Sequence, residues 1–195
     1  MSMRIPLFPL NTVLFPGGTL TLRIFEPRYL RMVSDCLANQ RPFGVCLIRS
    51  GREVGSIAEP FGIGTLAHIV DWEQRQDGLL GITARGDRRF SIGQTEADAQ
   101  QLLHADVTLL EPDAATPLAP EFRPLAELLQ RIHDQLGSTG LAKPEPMRDD
   151  AGWVGCRLAE LLPLPLRDKQ RLLEGGDPSE RLRLLHQLLK PETGQ

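Results

Sequence analysis

The sequence predicts an α+β chain, β-rich in its first part and all-helical in its second. Three observations predict it. Before about residue 115, apolar and polar residues alternate with period two in several short runs, the mark of strands with one wet face. After residue 117, apolar residues recur every three or four positions, the spacing of helices that bury one stripe. Between the two regimes lies Glu111–Pro120, where Pro112, Pro117 and Pro120 interrupt any regular element. The expected division is therefore 1–116 and 117–195.

In Thr19–Phe25, Leu20, Leu22 and Ile24 alternate with Thr19, Thr21 and Arg23. Pro27 suits a first helical position, and a helix is expected from there, with Leu30, Val33 and Leu37 at helical spacing and Asn39 and Pro42 ending it. Gly62-Ile63-Gly64 imitates a phosphate loop, but a glycine pair feeding a strand reads better as bulge chemistry. Asp77-Gly78 is a hairpin dipeptide. Leu80–Arg85, Arg88–Ile92 and Ala105–Leu109 alternate again, with Gly86-Asp87 read as a turn between the first two. Closely spaced short strands of this kind suggest a small barrel or a strongly curled sheet, with one inserted helix.

In the second part, Leu118, Phe122, Leu125, Leu129, Ile132 and Leu136 step by four and three, and Gly137 stands where a helix-ending glycine would. Ser138–Pro146 reads as a loop. A second helix starts near Asp149, with Val154, Leu158 and Leu161 on one stripe, and stops before Pro163. A third is Leu166–Glu174, ended by Gly175-Gly176. The fourth opens with Asp177-Pro178-Ser179-Glu180, a variant capping box, and carries Leu182, Leu185 and Leu189. Isolated helices this short are marginal in water, so they are expected to need cover from the barrel.

Composition bounds the function. The chain has 195 residues, with 22 Lys+Arg against 25 Asp+Glu and 41% hydrophobic residues, enough for a core without disulfides or metal. The pI of about 5.8 argues against a phosphate backbone as principal partner. The only lysines are Lys143, Lys169 and Lys190. Cys36, Cys46 and Cys156 form an odd set without metal-type spacing and read as buried small hydrophobes of a reducing, cytoplasmic setting. His68, His104, His133 and His186 are scattered, so no metal or other cofactor is expected. No nucleotide cradle, nucleophile elbow or paired acids point to catalysis. No apolar run reaches the ~18 residues of a membrane span.

Ile5–Val33, "IPLFPLNTVLFPGGTLTLRIFEPRYLRMV", resembles the Lon N-terminal domain family, the substrate-binding domain of ATP-dependent Lon proteases. Its most specific pieces are the I-P-L-F-P-L opening, Val13–Gly17 and Ile24–Tyr29. The resemblance continues at Phe43–Ile48, Gly64–Ile69, Asp77-Gly78 and Gly86–Ile92, and resumes at Leu162–Glu174 and Asp177–Leu185. It implies a PUA-like β-barrel subdomain followed by a helical subdomain. It also implies recognition of unfolded polypeptide segments or of a partner protein, and, for a standalone bacterial protein of this kind, adaptor duty in protein quality control. The ATPase and Ser/Lys peptidase modules of the full protease are absent from this sequence, so no catalysis is expected.

A polypeptide ligand needs apolar walls and a few orienting polar groups. The seam between barrel and helices is the expected place. The candidate residues are Phe25, Glu26, Arg28, Tyr29 and Arg31, with arginine charge beside aromatic surface; the bland alternative is that they set the helix start and pair with neighbours. RNA or nucleotide binding through the barrel is the competing reading. Arg85, Arg88 and Arg89 would be its basic face, but the eleven arginines of residues 1–117 meet thirteen acids there, and aromatic residues for stacking are sparse.

Overall fold

A parallel strand pair cannot be joined by a tight turn, and this constraint organises the first half of the chain. The computed structural model describes residues 2–55, 57–136 and 149–190. Strand β1 (Ser2–Leu10) lies parallel to β3 (Phe43–Ser50), in register from Leu7↔Gly44 to Leu10↔Leu47. The crossover between them holds β2 (Thr19–Ile24) and helix α1 (Pro27–Asn39), which is why a helix interrupts the β region. β4 (Glu59–Pro60), β5 (Ile63–Gln74), β6 (Leu80–Ala97) and β7 (Leu103–Leu109) follow. The pairings run β1–β7–β6–β5–β3 and return to β1, so five strands close a barrel.

β6 is the longest element. Its start pairs with β2, from Thr19↔Arg85 to Ile24↔Leu80, and its end, from Phe90 to Ala97, pairs with β7, while β5 pairs with it on the other side from Leu80 to Ser91. The expected turn at Gly86-Asp87 is therefore a correction: the strand continues through it. What sits there is a bulge, since Thr65 pairs with Arg89 but Ala67 with Gly86. Glycine is required because the chain between Phe15 and Gly18 crosses at backbone distance. Gly17 N–H donates to Gly86 O at 2.9 Å and Gly86 N–H to Gly18 O at 2.8 Å, and a Cβ on Gly86 would stand 2.5 Å from Phe15 O. Gly64, expected as bulge chemistry, is a second correction: it lies in regular register. It pairs with Phe90, and a Cβ there would meet Val45 O at 2.5 Å.

Two apolar clusters fill this part. Ile5, Leu7, Cys46, Leu66, Phe90, Ala105 and Val107 belong to one. The other gathers Phe8, Leu10, Ile24, Tyr29, Met32, Val33, Phe43, Ile82 and Ala84, with Leu20, Leu22, Ile69 and Leu80 packed against it half-buried. The buried stripe of α1 is Arg28, Tyr29, Met32, Val33 and Cys36. Of the expected stripe only Val33 is buried; Leu30 and Leu37 face outward. Cys36, Cys46 and Cys156 are all free and buried.

The chain divides into two compact units, Met1–Pro112 and Asp113–Gln195. In the second, a short 3-10 turn at Pro120–Phe122 leads into α2 (Arg123–Leu136), followed by α3 (Ala151–Leu161), α4 (Leu166–Glu174) and α5 (Pro178–Leu189). Phe122, Leu125, Leu129, Val154, Leu158, Leu182 and Leu185 are buried as the stripes predict, whereas Leu161 is largely exposed. Gly137 and the Ser138–Pro146 loop lie outside the described residues. Asp150 caps α3 by accepting from Trp153 N–H, and Asp177 caps α5 by accepting from Ser179 and Glu180 N–H. Arg181 is buried. Its guanidinium donates to Leu172 O and Gly175 O, both at 2.9 Å, and to Asp113 Oδ2 at 2.5 Å, so it satisfies carbonyls at the end of α4 that have no helical partner.

Candidate functional site

The candidate residues sit where β2 turns into α1. Glu26 is extended at the N-cap, and Pro27 at the first helical position supplies a preset φ and no N–H. The Glu26 carboxylate does not cap the helix; it pairs with Arg28, Oε2 to Nη2 at 2.9 Å. Arg28 is buried. Its Nη1 donates to Gln101 O at 3.2 Å, and its guanidinium carbon lies 4.7 Å from the Tyr29 ring centroid. Tyr29 stacks on Phe8 with centroids 3.9 Å apart and planes inclined by 21°. Burial pushes the Tyr29 hydroxyl up to about 12; the Arg28 cation opposes this and the Glu26 and Glu53 carboxylates add to it.

One turn further on, Arg31 Nη2 donates to Asp98 Oδ2 at 2.6 Å. Asp98 is held from below as well: its Oδ1 accepts from Gln100 N–H at 2.8 Å and Leu102 N–H at 3.0 Å. These backbone donors, Leu102 first, together with the Arg31 cation keep its carboxyl below the usual carboxylate range. His104 Nε2 lies 3.6 Å from the same carboxylate. Both arginines of α1 thus clasp the β6–β7 turn, where Gln101 takes a left-handed φ of 64°. Neither Asp98 nor Gln101 is marked in the sequence by any local motif.

Of the five candidates, the structure joins Glu26, Arg28 and Tyr29 in one buried assembly and ties Arg31 to Asp98. Phe25 alone points its ring to solvent, 52% exposed. It has company that period reading assigned to the core: Leu30 and Leu37, each 39% exposed, seven residues apart on one side of α1. Val70 and Trp72 on β5 are exposed too. Arg85, Arg88 and Arg89 do not form one solvent face: Arg89 is buried, and Arg88 Nη2 donates to Leu110 O at 2.9 Å.

Burial raises the Cys36 thiol to about 11 and drives Cys46 up further, so neither is a nucleophile at neutral pH. Among the described residues no group of three His, Cys, Asp or Glu could hold a metal, and no helix is long and apolar enough to cross a membrane.

The chain is 28% identical to the Lon protease of Cytophaga hutchinsonii over 95% of its own length and 24% of that protein, and 28% identical to the Lon protease of Parabacteroides distasonis over 91% of its length and 22% of that protein. It therefore spans about a quarter of the curated relatives it matches. Among solved structures, a Lon N-terminal domain protein from Xanthomonas campestris superposes with a TM-score of 0.81 at 39% identity, covering 97% of this chain and 99% of that one. The N-terminal domain of a Mycobacterium avium complex Lon protease shares the fold, with a TM-score of 0.68 at 19% identity over 95% of this chain and 97% of that one. Residues 4–191 match a family described as the ATP-dependent protease La (LON) substrate-binding domain, and the chain belongs to that family.

Proposed function

We propose that this chain is a non-catalytic module that recognises exposed apolar stretches of polypeptide, serving as an adaptor in protein quality control. The observation that carries the reading is the outward-facing apolar set Phe25, Leu30 and Leu37 at and along α1. Large side chains grouped on a surface rather than scattered mark a place where another apolar surface is covered. The rigid backing supports it: Arg28 and Arg31 fasten α1 to the β6–β7 turn, so these side chains are presented by a fixed helix. Membership of a substrate-binding family supports polypeptide as the ligand class.

Calorimetric titration tests the proposal, using reduced and alkylated α-lactalbumin as a permanently unfolded protein and single-stranded RNA as the rival ligand. Burial of apolar surface gives a negative heat-capacity change and affinity that survives moderate salt. Phosphate-dominated binding collapses as salt rises. Binding of RNA alone, with that salt dependence, overturns the reading.

A further inference from the structure

The sheet edges of the first unit are not treated alike. β4 is two residues long and one of them is Pro60, which cannot donate. β5 beyond Ala67 has β6 on one side only, but this edge is broken. Ile69 pairs with Ala84 and Asp71 with Thr83, which leaves Val70 as a bulged residue, and the Asp71 side chain itself takes the Trp72 N–H at 2.9 Å. Short strands, proline and bulges are the means by which proteins blunt sheet edges.

β2 has none of these. It is six residues, Thr19–Ile24, in unbroken register with β6, without proline, lysine or bulge, and among the described residues no second strand pairs with it. The direction of its free groups follows from the register. Gly86 N–H donates to Gly18 O, so Leu20, Leu22 and Ile24, two, four and six residues on, turn their peptide groups to β6 as well. The N–H and C=O of Thr19, Thr21 and Arg23 therefore point away from the sheet. All three residues are exposed.

We infer that the free edge of β2 captures an extended polypeptide segment by strand addition. This rests on the polypeptide reading above and names the surface and the chemistry. A row of alternating donors and acceptors at strand spacing is matched by another extended backbone and by little else. Alternation decides which segments fit. On one face the added strand lies beside Leu20 and Leu22, half-buried at the margin of the apolar cluster, with exposed Phe25 just past the strand end. On the other it lies beside Thr19, Thr21 and Arg23, whose charge is met by Asp77. The occupant is an unfolded segment of about six residues, β2's own length, with apolar side chains at every second position. Because the backbone supplies the attraction, the site accepts many sequences, as a binder of unfolded chains must.

The test uses the intact chain and a synthetic six-residue peptide alternating valine and threonine, and the same peptide N-methylated at every amide, so that neither of its edges can donate. The expected result is binding that slows amide exchange at Thr19, Thr21 and Arg23, with the N-methylated peptide about tenfold weaker, the equivalent of one or two backbone hydrogen bonds. Thr21→Pro, which removes an outward N–H at an edge position, weakens the parent peptide similarly; near-UV circular dichroism checks its fold, and the N-methylated peptide tests the proposal without any variant. Equal affinity for both peptides, or binding without protection of those amides, overturns strand addition and leaves polypeptide recognition standing. Failure of the intact chain to bind the peptides and unfolded α-lactalbumin overturns both. Protection that appears without peptide and grows with protein concentration makes β2 a self-association edge and also overturns the proposal.

Discussion

Arg28 Nη1 lies 3.2 Å from the carbonyl oxygen of Gln101, joining the first turn of α1 to a turn far along the chain. The contact is part-buried, and the same guanidinium holds Glu26, itself little exposed. Removing the cation leaves a sequestered carboxylate and an unsatisfied carbonyl. Arg28→Met is expected to cost roughly 3 kcal/mol of stability, read from urea unfolding. A loss below about 0.5 kcal/mol, ordinary for a surface site, would show that the clasp carries little.

Tyr29 is the sole tyrosine of the sequence, so absorbance near 295 nm titrates it alone. In the folded protein it should ionise near 12 rather than 10. The unfolded chain loses this proton first, so the stabilisation is complete below pH 10 and is lost as pH rises toward 12. Ionisation near 10 with the fold intact contradicts the buried, stacked placement.

Gly86→Ala puts a methyl against Phe15 O and is expected to cost about 1–3 kcal/mol by overpacking. Gly62→Ala meets nothing within 4 Å and serves as its control, expected within about 0.5 kcal/mol of the parent. Comparable melting of the two variants would place the crossing chain elsewhere.

Arg181→Ala strips two carbonyls at the end of α4 of their donor and leaves Asp113 without this cation. The expected loss is roughly 3–5 kcal/mol, seen in the ellipticity of the second unit. Retention of the parent's denaturation midpoint would refute this.

Leu30→Ser with Leu37→Ser should leave stability within about 1 kcal/mol, since neither side chain belongs to the buried core. Affinity for unfolded α-lactalbumin should fall roughly tenfold. Unchanged affinity would remove this flank from the polypeptide reading.

How much was legible follows burial geometry. β2, the start of β6 and β7 bury one face and alternate visibly, so their period reads directly. β1 and β3 bury both faces: Ile5 and Leu7 enter one cluster while Phe8 and Leu10 enter the other. A strand covered on both sides has no reason to alternate, and "IPLFPL" shows no period. In α1 the leucines are the visible signal, yet Tyr29, Met32 and Cys36 do the burying. Charge beside aromatic residues singles out the stretch Phe25–Arg31, and the structure gathers Glu26, Arg28 and Tyr29 there. What that pattern could not supply were the partners, because Asp98 and Gln101 are brought there by the β6–β7 pairing, which no local pattern in α1 encodes.

The parallel pairing that closes the barrel also dictates an order of assembly. β1 is made before either of its partners: Ser2 pairs with Thr108 and Leu7 with Gly44, so its first edge partner emerges only after α1, and its second at the end of the unit. Until then the nascent chain carries an apolar strand with nothing to lie against. Topologies dominated by such distant pairings fold slowly and leave sticky segments exposed while they wait. A chain that we propose recognises unfolded polypeptide thus exposes, during its own synthesis, a segment of the same kind.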